Sequence, residues 1–279
     1  MRLTRRGRLA VTLTVGALGL GATAYALTRT SAGSAVGLPT RPPCTIEVGD
    51  RTTDWTRGQA MTATTVAAVG LRIGASENGV AAAVDRALRP GVDRPLDATA
   101  ARAIYQGLPD VARPGRQQVA LARALLGHHG PSLTCTVPML FAAPDLDREA
   151  PGADGLTPRA GTLRVAMREV FGKQILGGFE PRGVSDGHID GSAHYEGRAI
   201  DVFLRPVTEE HRRQGWSQAQ WAVAHAERLD VATVIFDRRL WTGRRSAAGW
   251  RDYQHPSGAS DNPVLMHEDH VHVDVVEGS

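Results

Sequence analysis

Two short stretches in the C-terminal half alternate apolar and polar side chains with a period of two, which predicts half-buried strands. From Ala199 onward, Ile200, Val202 and Leu204 share one apolar face, while Ala199, Asp201 and Phe203 share the other. In His270-Val271-His272-Val273-Asp274-Val275 the valines form the buried face and His270, His272 and Asp274 the opposite one. Val231 to Phe236 is an apolar run that predicts a third strand. Leu163, Met167, Val170 and Phe171 recur at helical spacing and predict a helix facing the sheet. Ser217 is expected to cap a second helix that runs to Leu229. Upstream, Cys44 to Val48 reads as a short strand, and Gln59 to Leu71 and Asn78 to Leu88 as helices. Gly74 lies between those helices and Pro90-Gly91 comes after the second; Gln118 to Leu126 suggests another helix. Trp241, Trp250 and Tyr253 fall in a polar connection, as walls of a groove or as core packing.

The pattern divides the chain. Residues 1–28 carry Arg2, Arg5, Arg6 and Arg8, then 19 uncharged residues from Leu9 to Leu27. That run is close to the ~20 residues needed to span a bilayer, and the arginines would hold its start in the cytoplasm. Ala24-Tyr25-Ala26 also suits a small-x-small cleavage site. Signal peptide and uncleaved membrane anchor both remain open, and either would export the remainder of the chain. Residues 29–43 read as a linker, 44–137 as a small, mainly helical domain, 138–157 as a second linker rich in Pro, Gly and acids, and 158–279 as the final domain. The expected fold class is α+β, with an antiparallel sheet and flanking helices in the C-terminal domain.

Net charge is +3, and the four leader arginines alone exceed it. The exported part is near neutral, which gives no argument for nucleic acid. Nothing here fixes the oligomeric state. Cys44 and Cys135 are the only two cysteines. In an oxidising exterior such a pair invites one disulfide, closing a loop of about 90 residues with roughly 4 kcal/mol of stabilisation. Free thiols or a metal site are the alternatives, and the pair lacks the close spacing of zinc sites.

Candidate chemistry sits on the polar faces of the two strands. If they are neighbours, Asp201 and His272 converge on one ion, and His194 reaches it from the turn before the first strand. Gly197 gives that turn its backbone freedom. His, Asp and His suit Zn²⁺, and His270 is a spare imidazole beside the metal. Taken alone, a His-x-His pair on a strand also fits a solvated polar face.

His194-x-x-Gly197-x-Ala199-x-Asp201, with Ser192 two residues earlier and a late His270-x-His272, resembles the zinc D-Ala-D-Ala carboxypeptidases and related murein endopeptidases. Their fold is shared with the signalling domain of hedgehog proteins. Gly191 to Pro206, Val234 to Trp241 and Asp269 to Val275 look most like an actinobacterial cell-wall domain of that superfamily. The resemblance implies His194, Asp201 and His272 as ligands of Zn²⁺ and His270 as the group assisting catalysis. It implies a peptidoglycan peptide as substrate, with Ser192 and Arg182 as candidate contacts. Carboxypeptidases of this type carry a glutamate base where this chain has Asp269. On a regular strand Asp269 points away from the histidine face, so His270 is the favoured base, with Asp269 the second catalytic candidate. Gln59 to Gly70 resembles the start of an actinobacterial lysozyme-like domain. Asp85 to Pro90 holds no glutamate where those relatives place their acid, which implies an inactive relic with a binding or packing role.

His188, His255 and His267 are expected in loops rather than as a fourth ligand, and His128, His129, His211 and His225 on the surface or in helices. Three functions are consistent with these features. The first is an exported zinc peptidase, carboxypeptidase or endopeptidase, secreted to the wall or anchored in the membrane. The second is a metal-containing wall-binding module without catalysis. The third is a membrane-tethered structural or partner-binding protein of the envelope.

Overall fold

Strand β1 (Cys44–Val48) runs antiparallel between β2 (Arg51–Trp55) and β3 (Leu133–Cys135) in a computed structural model of the chain. The structure describes residues 43–89, 95–109, 113–137, 146–258 and 260–279. The expected leader (1–28), all of the first linker but Pro43, and residues 138–145 of the second lie outside them. Between β2 and β3 come helices α1 (Arg57–Arg72), α2 (Glu77–Ala87), α3 (Ala98–Gln106) and α4 (Arg116–Leu125). Local chemistry sets their starts. Thr56 and Gln59 form a reciprocal capping box at α1, while Ser76 and Asp97 accept the first free amides of α2 and α3. Cys44 and Cys135 stand directly opposite across β1 and β3 and are joined in a disulfide.

The second half opens with α5 (Pro158–Phe171), capped by Thr157 with Pro158 in its first turn, then β4 (Leu176–Gly177), β5 (Ala199–Phe203) and α6 (Glu209–Ala224). Strands β6 (Val231–Phe236), β7 (Arg239–Thr242), β8 (Arg251–Asp252) and β9 (His270–Val275) complete it. The sheet order is β4-β5-β9-β6-β7-β8, antiparallel throughout, with the last strand in sequence placed between β5 and β6. This is the expected α+β architecture with an antiparallel sheet and flanking helices.

Helix α6 differs from expectation. It starts at Glu209, capped by the Thr208 hydroxyl, and ends at Ala224 rather than Leu229. Ser217 lies buried in mid-helix, because every residue from Gly215 to Ala224 is covered. Its first turns, Glu209 to Gln214, are polar and exposed or half-buried, and the covered remainder shows no single apolar stripe, so neither end is marked by apolar spacing. On one side α6 packs against β6 and β9, and on the other against α1. Gln220 ties the layers together. Its Oε1 accepts from the Ser132 and Leu133 amides at 3.0 and 2.9 Å, and its Nε2 donates to the Ala124 carbonyl at 3.1 Å. The indoles of Trp241 and Trp250 donate to the Cys135 and Leu133 carbonyls. One hydrophobic core therefore runs from β1 and α1 through α6 to β6 and β9, and it leaves the far face of the larger sheet free for a site. Among the described residues no helix is long and apolar enough to cross a membrane.

Candidate metal centre and its cleft

The pairing of β5 with β9 sets Asp201 directly opposite His272, Phe203 opposite His270 and Ala199 opposite Asp274. All six side chains share one face of the sheet, as the alternation predicts. His194 arrives from a single tight turn. The Arg198 amide donates to the Ala193 carbonyl at 2.9 Å and the Gly197 amide to the His194 carbonyl at 3.1 Å. This is the double closure that ends a helical turn on a left-handed residue, and Gly197 supplies it with φ 67°. The chain then turns straight into β5, and the His194 ring hangs over Asp201.

His194 Nε2 lies 3.0 Å from His272 Nδ1 and 3.3 Å from Asp201 Oδ1, and His272 Nδ1 lies 3.2 Å from the same oxygen. Ligand atoms bound tetrahedrally to zinc at ~2.0–2.1 Å stand about 3.3 Å apart, so this triangle is close to the size the ion requires. The outer faces of the rings fix where the lone pairs point. His194 Nδ1–H donates to the Gly178 carbonyl at 2.7 Å, leaving Nε2 as an acceptor toward the triangle. His272 Nε2–H donates to Asp274 Oδ2 at 3.2 Å, leaving Nδ1 toward the same point. Two imidazole lone pairs and a carboxylate oxygen then converge, an arrangement that only a positive charge stabilises. The electrostatics agree. Burial opposes a charge on His272, but Asp201 and Asp274 outweigh it and push the imidazole up to about 9. Burial likewise opposes Asp201 ionisation, and His194 and His272 overcome it, holding the carboxyl well below the usual carboxylate range. These three are the one group of metal-type ligands found within reach of one another among the described residues, and all are buried.

Gly178 completes the cradle. A Cβ there would stand 2.3 Å from His194 Cε1 and 2.4 Å from Nδ1, and its φ of 76° disfavours any other residue.

Beside the triangle, His270 Nδ1–H donates to Asp269 Oδ1 at 2.7 Å, while Nε2 lies 3.8 Å from Asp201 Oδ1. Asp269 precedes the first residue of β9, and its carboxylate folds back behind the ring instead of entering the cleft. Arg205 Nε holds the other Asp269 oxygen at 2.6 Å and lays its guanidinium 4.3 Å from the centre of the Phe203 ring. Asp269 thus orients the His270 ring and does not itself line the cleft.

The cleft around these groups has a volume of about 580 Å³ and is walled by Ser192, Ile189, Tyr253, Val264, Leu265 and a ring of histidines. Ser192, one candidate contact, lines the cleft, and its hydroxyl accepts the His194 amide at 3.4 Å. Arg182, the other candidate contact, is exposed in a reversal at φ 81° and is not among the residues that line the cleft. His188, His255 and His267 lie in loops, as expected, and all three line it. His188 stacks on His194 with centroids 4.0 Å apart; burial lowers its pKa, aided by His194. His267 packs on His270 and Tyr253, and burial, with His272 and His270, pushes it down to about 2. Of the three aromatics in the polar connection only Tyr253 reaches the cleft; Trp241 and Trp250 pack in the core.

His128 pairs with Glu77, and His211 sits in the first turn of α6. His225 is a buried residue rather than a surface one, stacked on Trp221. Sequence reasoning passed over Arg205, Gly178 and the outer role of Asp274. The density of ionisable groups from His267 to His272 was the one local sign that Asp269 and its neighbours act together.

Residues 152–264 match the family described as VldE, C-terminal domain, which is under half of the chain. The matched stretch includes His194 and Asp201 and stops before His270 and His272. No curated protein and no solved structure matches the chain.

Proposed function

We propose that this chain is an exported zinc peptidase that hydrolyses bonds to D-amino acids in peptidoglycan peptides, of the D-Ala-D-Ala carboxypeptidase and hedgehog-like type. The observation that carries this reading is the triangle of His194, Asp201 and His272, with both imidazoles oriented from behind and a fourth imidazole held beside them. Zn²⁺ in such a site lowers the pKa of a bound water toward ~7 and polarises the scissile carbonyl. The chain's own groups do the rest. His270 Nε2 takes the proton of the attacking water and returns it to the departing amine. Asp269, fixed by Arg205, keeps the His270 Nδ1 proton in place, so that Nε2 is the basic nitrogen. Ile189, Val264 and Leu265, apolar yet exposed, line the cleft and support the binding of a peptide across it. The Cys44–Cys135 disulfide supports an oxidising compartment, consistent with export. The described part of residues 44–137 acts here as packing, because α1 and β3 lie against α6, the helix that itself covers the larger sheet.

The test is hydrolysis of purified muropeptides by the full chain supplied with zinc, with mass spectrometry of the products. Loss of a terminal D-Ala identifies a carboxypeptidase, and opening of crosslinked dimers an endopeptidase. No product from a folded, zinc-loaded chain that still binds wall material would leave the wall-binding module as the better reading.

A further inference from the structure

A second cavity, about 310 Å³, adjoins the cleft on the other side of Phe203 and Arg205, which line both. Its wall carries Arg72, Lys173, Arg205 and His211, and no carboxylate. Arg205 is committed to Asp269. The two other fixed cations, Arg72 and Lys173, have no carboxylate partner among the described residues. Arg72 donates to a backbone carbonyl, that of Glu169, at 2.8 Å, and among the described residues neither Arg72 nor Lys173 is in a salt bridge. His211 Nδ1 is engaged by the Pro206 carbonyl at 2.6 Å, and the ring serves only as part of the wall. Lys173 is the only lysine in the chain. Beside these charges Ile175 stands 74 % exposed, the most exposed large hydrophobic among the described residues. Two unpaired cations around an apolar-edged hollow suit a carboxylate on an aliphatic stem.

We propose that this cavity is a subsite for a free carboxylate carried by the substrate to one side of the scissile bond. The inference rests on the peptidase reading above and deepens it. Peptide stems with acidic side chains carry such groups at fixed distances from the bond to be cut. Arg72 and Lys173 then select a charged stem over one whose carboxylates are amidated, without touching the reacting atoms.

The experiment compares two synthetic stem peptides ending in D-Ala-D-Ala, identical except that one has its side-chain carboxylates converted to amides. The zinc-loaded full chain is expected to favour the acidic peptide in kcat/KM, mainly through KM, by about tenfold, the sum of two partly exposed charge contacts. The preference should shrink with added salt. In the double variant Arg72→Gln/Lys173→Gln it should fall to near one, and Lys173→Arg with Arg72 intact should restore most of it. A preference that survives the double variant, or none in the wild type, overturns the subsite. If the wild type cleaves neither peptide, the peptidase reading fails instead. Titration calorimetry with the same two peptides then still decides the subsite, because equal affinities would overturn it.

Discussion

Two buried histidines, His225 at the end of α6 and His272 in the cleft, are covered to nearly the same extent and are driven in opposite directions. His225 is stacked on Trp221, donates from Nδ1 to the Trp221 carbonyl at 2.8 Å and meets the Thr65 hydroxyl at 3.4 Å. It has no carboxylate within reach, and burial pushes it down to about 3. His272 has one carboxylate on each ring nitrogen and is pushed up to about 9. Burial alone therefore makes an inert, neutral imidazole. Burial with acidic groups on both sides makes a place that draws positive charge, whether a proton or a metal ion. The helical layer and the cleft are built from the same residue types, and the placement of Asp201 and Asp274 separates them.

The largest expected effect falls on catalysis. His270→Ala removes the proposed base but none of the proposed ligands, so peptide cleavage should drop by ~10²–10⁴-fold while zinc content stays at the wild-type level. Zinc lost together with activity would make His270 a ligand and blur the distinction between the triangle and its neighbour. Next in size is the disulfide. Replacing Cys44 and Cys135 by serine should cost ~4 kcal/mol in denaturant unfolding under oxidising conditions. Zinc content should stay unchanged, because the bridge belongs to the small sheet on the helical side. Asp274→Asn keeps an acceptor behind His272 but removes its charge. Zinc affinity, measured by competition with a chelator, should weaken by about 10–100-fold. An unchanged affinity would make Asp274 a packing residue and leave Asp201 alone to distinguish His272 from His225.

The smallest effect concerns pH and belongs to the helical layer. His225 falls from 6.5 to about 3 on folding, so between those values the unfolded chain binds a proton that the folded chain refuses. Its contribution is fully favourable above the unfolded value and is lost as pH falls, by at most about 1.4 kcal/mol per unit. His225→Gln should flatten that slope when urea midpoints at about pH 7 and about pH 5 are compared. An unaltered slope would place the acid sensitivity elsewhere.

Much of the site was legible because strands impose a period of two. Once Asp201 and His272 fall on the polar faces of adjacent strands, pairing brings them together, and Gly197 announced the turn that delivers His194. The rest depends on groups distant in sequence. Gly178 and Arg205 touch the site only after β4 has joined β5 and the chain has passed beyond it, and neither carries a local pattern. Asp269 misled for a physical reason. Alternation describes regular strand, and Asp269 lies one residue before β9, where its carboxylate is free to fold back onto His270. The start of helix α6 was missed because its first turns, Glu209 to Gln214, are polar and exposed or half-buried, and the buried remainder has no amphipathic edge. Arg182 was singled out by its place in sequence alone, and the fold turns it outward.

The central claim is that His194, Asp201 and His272 hold one metal ion and that the carboxylate opposite His272 is essential to it. Metal content by mass spectrometry on the purified full chain, beside Asp201→Ala and His272→Ala, tests this most directly, with circular dichroism to establish that each is folded. One zinc per chain in the wild type and none in either variant is the expected result. A folded wild type that takes up no metal when zinc is supplied, or variants that keep it, would contradict the claim.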